Sequence, residues 1–359
     1  MALLETPVEL DLDGLLANLR REGTPDRAYN MELFLDVEVQ DMLCERYDIG
    51  PKVDPDDVLT HFQRLVNLYR FLGYESVYFH TRGVTFPHGS TAVADTEQAQ
   101  SRGERNWVDE HEGTITTWEQ FEAYDWPDLG NLDVRHFEWA EENLPDDMCV
   151  QVHTHGIFEN VSWLLSLEKM AYLLYDDPAL IDALFEKIGS IQVSVAEVLA
   201  DFACVKTVIG GDDMGHKTGC MIDPKILIEK CLPWHKRLCT VYREHGAINI
   251  LHCCGNTRDL MPALIDDVGY DGFHSFEDTI ELVTDAKREY GDRAALVGGI
   301  DVDFLCRADE AAIRKRVRET LDVCQPSGGY CLGTGNSVAN YIPVENYLVM
   351  LDEGRRWGR

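Results

Sequence analysis

The sequence predicts an α/β fold, a (β/α)8 TIM barrel with an N-terminal extension and a long insert after strand 2. Two observations predict it. Short β-like runs alternate with helical patterns from one end of the chain to the other, which is how a parallel sheet wrapped by helices reads. There are eight of each, and a barrel core takes about 250 residues, which fits in 359 with a surplus.

The strands are expected near 28–35, 76–80, 149–154, 207–211, 248–254, 271–275, 294–300 and 328–332. Between them the 3.6-residue pattern predicts helices over 55–72, 162–175, 178–202, 224–245, 256–267, 279–290, 309–324 and 343–354. Asp177-Pro178 and Asp223-Pro224 each put a capping carboxylate ahead of a proline at the first helical position. Gly73, Gly246 and Gly269 stand where helices close. The surplus is assigned to residues 1–25 and to the insert at 81–148. An insert leaving the C-terminal end of a barrel strand sits over the catalytic face, so 81–148 is a candidate lid or substrate wall within one domain spanning 1–359. Its Trp107, Trp118 and Trp126 could line an apolar pocket, although tryptophans this close to turns serve more often as packing anchors.

Composition narrows the function. Sixty-four acidic against 32 basic residues give a formal charge of -32. Such a surface repels phosphate backbones and anionic lipids, so nucleic-acid and membrane-surface roles are not expected. No apolar run of about 18 residues occurs, and the N-terminus carries acid where a secretory signal needs Lys or Arg. The expectation is a cytoplasmic protein. Eleven cysteines, an odd number without a signal peptide, argue for free thiols over a disulfide framework.

Polar residues gather where the predicted strands end. These endings are YFHTRG (His80, Arg82), QVHTHGIFE (His153, His155, Glu159), IGGDDMG (Asp212, Asp213), LHCCG (His252, Cys254), FHSFED (His274, Glu277, Asp278), GGID (Asp301) and GGYCLGTGN (Cys331, Asn336). On a strand, i and i+2 share a face, so His252 and Cys254 project together and Cys253 points away. An imidazole and two thiolates, with Cys331 as the third ligand, form a zinc ligand set that leaves one position open. Substrate, water or a carboxylate such as Glu159 would complete it. The plainer alternative is a cysteine-rich core that happens to contain His-x-Cys. Asp212 and Asp213 are candidates for a general base, for orienting a ligand, or for capping the next helix. Arg82, beside His80, would suit a substrate carboxylate or an ordinary ion pair with the acidic insert. His153-x-His155 is a pattern of zinc hydrolases, but it falls on the third strand without the companions that class needs. His155, His274 and Asn336 complete the expected lining of the substrate cavity.

From about residue 150 onward the chain resembles the uroporphyrinogen decarboxylase superfamily of TIM barrels. The resemblance rests on HGIFENVSWLLSLEKMAYLLYDDP (155–178), GDDMG (211–215), LHCCGN (251–256), KREYGDRAALVGGIDV (287–302), GGYCLGTGNSV and PVEN (343–346). Within it the chain looks most like the zinc-dependent methyltransferases of corrinoid systems, such as coenzyme M methyltransferases and O-demethylases. Their His-x-Cys with a distant Cys maps onto His252, Cys254 and Cys331. The decarboxylase itself has an early arginine-rich motif, and the corresponding stretch here, AYNMELFLDVEVQDM (28–42), holds no arginine.

The resemblance implies a zinc enzyme moving a methyl group between a small methylated substrate (a methoxy aromatic, methylamine or thiol) and a corrinoid, or cobalamin. Corrinoid-binding domains carry Asp-x-His-x-x-Gly, and the run Asp213 to Gly219 misses that register by one residue. A separate corrinoid protein is therefore the expected partner. The alternatives are a cofactor-free lyase of the decarboxylase type and, further off, a metal-dependent hydrolase.

Overall fold

The computed structural model describes residues 3–50, 52–54, 57–94, 104–108 and 111–358; parts of the insert thus lie outside the described residues. Seven parallel strands run in chain order around a curled sheet: β1 (Ser76–His80), β2 (Cys149–Thr154), β3 (Val205–Gly211), β4 (Ile248–His252), β5 (Gly272–His274), β6 (Ala295–Val297) and β7 (Tyr330–Cys331). The architecture is barrel-like α/β.

The expected first strand, 28–35, departs from the prediction. It is an extended segment that docks in parallel beside the end of β7 through two bridges, Asn30 to Leu332 and Leu35 to Val338. Met31 N–H donates to the Leu332 carbonyl at 3.0 Å and Leu332 N–H to that of Tyr29 at 2.7 Å. Toward β1 and β2 a side chain replaces the ladder: Gln151 Nε2 donates to the carbonyls of Glu32 at 2.9 Å and Leu33 at 3.2 Å. Among the described residues the laddered sheet therefore has seven strands, not eight.

Side-chain alternation sorts the core into two layers. Ile209, Ile248, Ile250, Ala295, Val297 and Cys331 point inward. They meet Leu15, Leu16 and Leu19 of helix α1 (Leu12–Leu19), which packs as a plug on the inner face of the curled sheet. Asn18 on that helix holds the plug by donating to the Tyr330 carbonyl at 2.7 Å. Outward residues such as Val150, Val208, Leu251 and Leu296 pack under the helices. Each fully buried aliphatic side chain contributes about 1.5–3 kcal/mol.

Three predicted helices are remade, that at 224–245 by a wide π turn over Leu227–Cys231. The pattern at 162–175 is two helices, α2 (Ile157–Leu165) and α3 (Leu167–Asp176), broken at Ser166, whose φ is 66°. The pattern at 256–267 shrinks to Met261–Ala263 and a wide π turn, Leu264–Val268. The capping predictions are met: Asp177 accepts from Leu180 N–H and Asp223 from Lys225 N–H. In the insert, Ser90–Ala94 and Glu104–Val108 pair as an antiparallel hairpin. No helix of the described residues is long and apolar enough to cross a membrane.

Candidate metal centre

Strand β4 delivers His252 to the C-terminal end of the sheet, and Cys254 follows two residues later on the same side. Their donor atoms, His252 Nε2 and Cys254 Sγ, stand 3.5 Å apart. Asp213, just past the end of β3, brings its Oδ1 to 3.8 Å from His252 Nε2 and accepts the Cys254 backbone N–H at 2.7 Å. All three ligand atoms lie within 4.8 Å of one another. The edges of a tetrahedral zinc shell built from bonds of 2.0–2.3 Å are about 3.3–3.8 Å long, so two of these separations are already those of a liganded ion.

The surroundings of each donor fit that use. His252 Nδ1 is tied to His274 Nδ1 at 2.7 Å, which orients the ring and leaves Nε2 to face Cys254 and Asp213. Burial keeps both imidazoles neutral, holding His252 down to about 4 and His274 well below the usual histidine range. Cys254 Sγ receives Asn336 Nδ2 at 3.2 Å and Ser275 Oγ at 3.6 Å, the donors a thiolate needs. Ser275 holds a left-handed φ of 88°, a strained backbone directly after β5. Glu159, in the first turn of α2, is half-buried and lines the same cavity as Asp213. Burial first, then the nearby Asp213 and Asp212 charges, pushes the Glu159 carboxyl up; burial and Asp213 do the same to the Cys254 thiol. A half-buried site with two carboxyls, a thiol and a neutral imidazole is short of positive charge. A divalent cation would supply it.

Above the carboxyls lies a cavity of about 190 Å³ lined by Val108, Glu159, Ser162, Trp163, Leu167, Asp213 and Met221. Val108 belongs to the insert hairpin, so the insert contributes a wall. Trp107 stands exposed and Trp126 packs on Phe121 and Tyr124, as packing anchors do.

Other expected site residues fall elsewhere. Cys331 is not with His252 and Cys254. It is outside the group of donors within 4.8 Å, and its strand position turns it inward, into the cluster of Leu15, Leu19 and Val297, where Asn18 Nδ2 reaches its sulfur at 3.5 Å. The two-residue strand β7 ends at Cys331, and it is the loop after it that comes to the site, through Asn336. Asp212 also turns away from the cavity, fully buried behind α2, whose N-terminus it caps. Arg82 takes the plainer of its two readings, with Nε 3.9 Å from Asp133 of the insert. His80 and His155 stay near β1 and β2, with His80 beside Tyr78 at 5.9 Å and His155 beside His153 at 6.4 Å. Burial, aided by Arg82, holds His80 down to about 4. No metal-type cluster among the described residues includes His153 or His155. Sequence reasoning missed Ser275, whose signal is its place one residue past the end of β5, and missed Asp213 as a ligand atom of the group.

Residues 114–357, more than half of the chain, match the sequence model of the family described as Uroporphyrinogen decarboxylase (URO-D). The chain belongs to the uroporphyrinogen decarboxylase family. Among curated relatives, uroporphyrinogen decarboxylase of Cupriavidus pinatubonensis (strain JMP 134 / LMG 1197) is 39% identical over 77 residues, 21% of each chain. That of Cupriavidus necator (strain ATCC 17699 and its equivalents) is 38% identical over 84 residues, 23% of each. The matched stretch is thus under a quarter of these relatives' length. Among solved structures, a methyltransferase from Methanosarcina mazei superposes with a TM-score of 0.69 at 17% identity, covering 97% of this chain and 99% of that one. A vitamin-B12 independent methionine synthase from Listeria monocytogenes, described as putative, gives 0.51 at 15% identity, covering 92% and 98%. At these identities the likeness is one of fold.

Proposed function

We propose that this family member is a zinc-dependent methyltransferase, moving a methyl group between a small methylated substrate and a separate corrinoid protein. The observation that carries the reading is the convergence of His252 Nε2, Cys254 Sγ and Asp213 Oδ1 at zinc-like spacings, beside a cavity that Asp213 lines. These three residues would hold the ion, with Glu159 as the fourth ligand in place of the Cys331 that the family pattern suggests. Zinc bound there supplies a Lewis acid for a methoxy oxygen or amine nitrogen, or acidifies a thiol. The chain's own residues do the rest. Asn336 and Ser275 direct hydrogen-bond donors at the sulfur, His274 fixes the His252 ring, and Trp163, Leu167, Met221 and Val108 form apolar walls that exclude water.

The cavity offers two carboxyls and no basic side chain, which disfavours a polyanionic substrate such as a porphyrinogen and with it the lyase reading. A separate corrinoid carrier is favoured by the broken Asp-x-His-x-x-Gly register, since His216 lies exposed in a two-residue hairpin strand. The test is methyl transfer. Zinc-loaded protein is mixed with a cobalt(I) corrinoid protein and, in turn, methoxylated aromatics and methylamines, or with a methylated corrinoid protein and thiols, while the cobalt spectrum is followed. Transfer with one of these substrates, lost in Cys254→Ser, is expected. Inactivity with all of them, in protein shown to be folded and zinc-loaded, contradicts the reading.

A further inference from the structure

A second group of metal-type donors lies behind the site. Asp212, Cys231 and His235 converge within 4.8 Å, all buried. Its acceptor is already filled. The Asp212 carboxylate accepts N–H from Ile157 at 3.0 Å, Phe158 at 2.9 Å and Glu159 at 2.8 Å, and His235 Nε2 stands 2.8 Å from its Oδ2. With the Cys231 thiol, whose sulfur is 3.7 Å from Oδ2, five donors face the roughly four lone-pair sites of a carboxylate, so little is left for an ion. Since the carboxylate accepts, Nε2 carries the proton. Nδ1 stands 2.7 Å from the Tyr270 oxygen, and in the neutral ring it accepts the phenol hydrogen.

The chain Tyr270 to His235 to Asp212 thus ends on the three leading N–H groups of α2, the last of which is that of Glu159. Two wide π turns lead into it, Leu227–Cys231 ahead of His235 and Leu264–Val268 ahead of Tyr270. Such turns re-aim the residues that follow and recur at functional sites. The joint is tight: a Cβ on Gly156 would stand 2.4 Å from Asp212 Oδ1 and 2.7 Å from Glu159 Oε2.

We infer that Tyr270, His235 and Asp212 form a positioning relay that fixes the first turn of α2 and so aims Glu159 at the group His252, Cys254 and Asp213. The inference rests on the reading of that group as a zinc site. None of the three touches substrate or ion; they act through Glu159.

The test uses Tyr270→Phe, which removes one hydroxyl, and His235→Gln, which removes the bridge. Zinc affinity is measured by chelator competition, the ligand-field spectrum on cobalt(II)-substituted protein, and amide hydrogen exchange on metal-free protein. Outer partners of metal ligands are typically worth about 10–100-fold in affinity. The relay predicts about tenfold weaker zinc binding, shifted cobalt bands, and faster exchange at Ile157, Phe158 and Glu159 in both variants. A merely structural role would lower the melting temperature and leave affinity and spectrum unchanged. That result in the folded Tyr270→Phe protein overturns the relay. Failure of wild type to bind zinc overturns the metal reading instead, and exchange at 157–159 still decides the relay: faster in the variants supports it, unchanged overturns it.

Discussion

His252, Cys254 and Asp213 come from two neighbouring strand ends, and their positions follow from the pleat: Cys254 shares the His252 face because it lies two residues on. Cys331 obeys the same rule with the opposite result. As an inward residue of β7 at the level of Val297, it faces the plug formed by α1 rather than the cavity. Cys331→Ser is therefore expected to cost about 1–3 kcal/mol, because it puts a hydroxyl among apolar side chains, while leaving metal affinity intact. Thermal melting together with zinc titration checks both halves, and zinc loss in a folded Cys331→Ser protein would restore Cys331 to the ligand set.

Among the elements, the site depends on how the loop after β4 crosses the loop after β3. Gly255 has φ 82°, and a Cβ there would stand 2.3 Å from the Gly215 carbonyl carbon, so the two backbones touch. The crossing is laced by Asn256 N–H to the His216 carbonyl at 2.8 Å and by Met214 N–H to Cys253 Sγ at 3.2 Å. Gly255→Ala is expected to cost about 1–3 kcal/mol in strain alone and to separate Asp213 from Cys254. Its signature is a lower melting temperature together with weaker zinc binding, and a variant matching wild type in both would refute it. Much of this scale was legible in the sequence. The helix starting at Pro178 and β1 and β2 lie where hydrophobic period and caps put them. Less legible were features set by tertiary contacts. The 28–35 segment lacks a ladder because Gln151 supplies its bonds, and the helix after β4 dissolves into a π turn that serves Tyr270. Of the site, the His-x-Cys pair, Asp213 and Asn336 could be read from strand ends. That Cys331 faces α1 could not, since it depends on where the N-terminal helix packs.

At the scale of the whole molecule, the joint between the 28–35 segment and the loop after β7 is held by a buried acid. Glu32 receives Thr334 N–H at 3.0 Å, and Thr334 Oγ1 is 2.6 Å from Glu32 Oε2 and 2.5 Å from the Asn336 carbonyl. A hydroxyl has one hydrogen to give, so both contacts are filled only if Glu32 is protonated and donates to Thr334. Burial, partly offset by the Thr334 bonds, pushes its carboxyl from 4.5 to about 8. The folded protein then keeps a proton that the unfolded chain releases, so this contribution is fully present below 4.5 and is lost as pH rises through about 8. Glu32→Gln should match wild type near pH 5 and exceed it by roughly 2–4 kcal/mol near pH 9, as read by urea denaturation at both values. Parallel pH profiles would contradict that assignment. Among the described residues the site gathers two carboxyls, a thiol and a neutral imidazole with no Lys or Arg in the cavity lining, and a cation there would balance them. The most direct measurement is the metal content of purified wild-type and Cys254→Ser protein by plasma mass spectrometry. One zinc per chain in wild type, lost in the variant, is predicted; a folded wild type without metal, even after incubation with zinc and removal of excess, would contradict it.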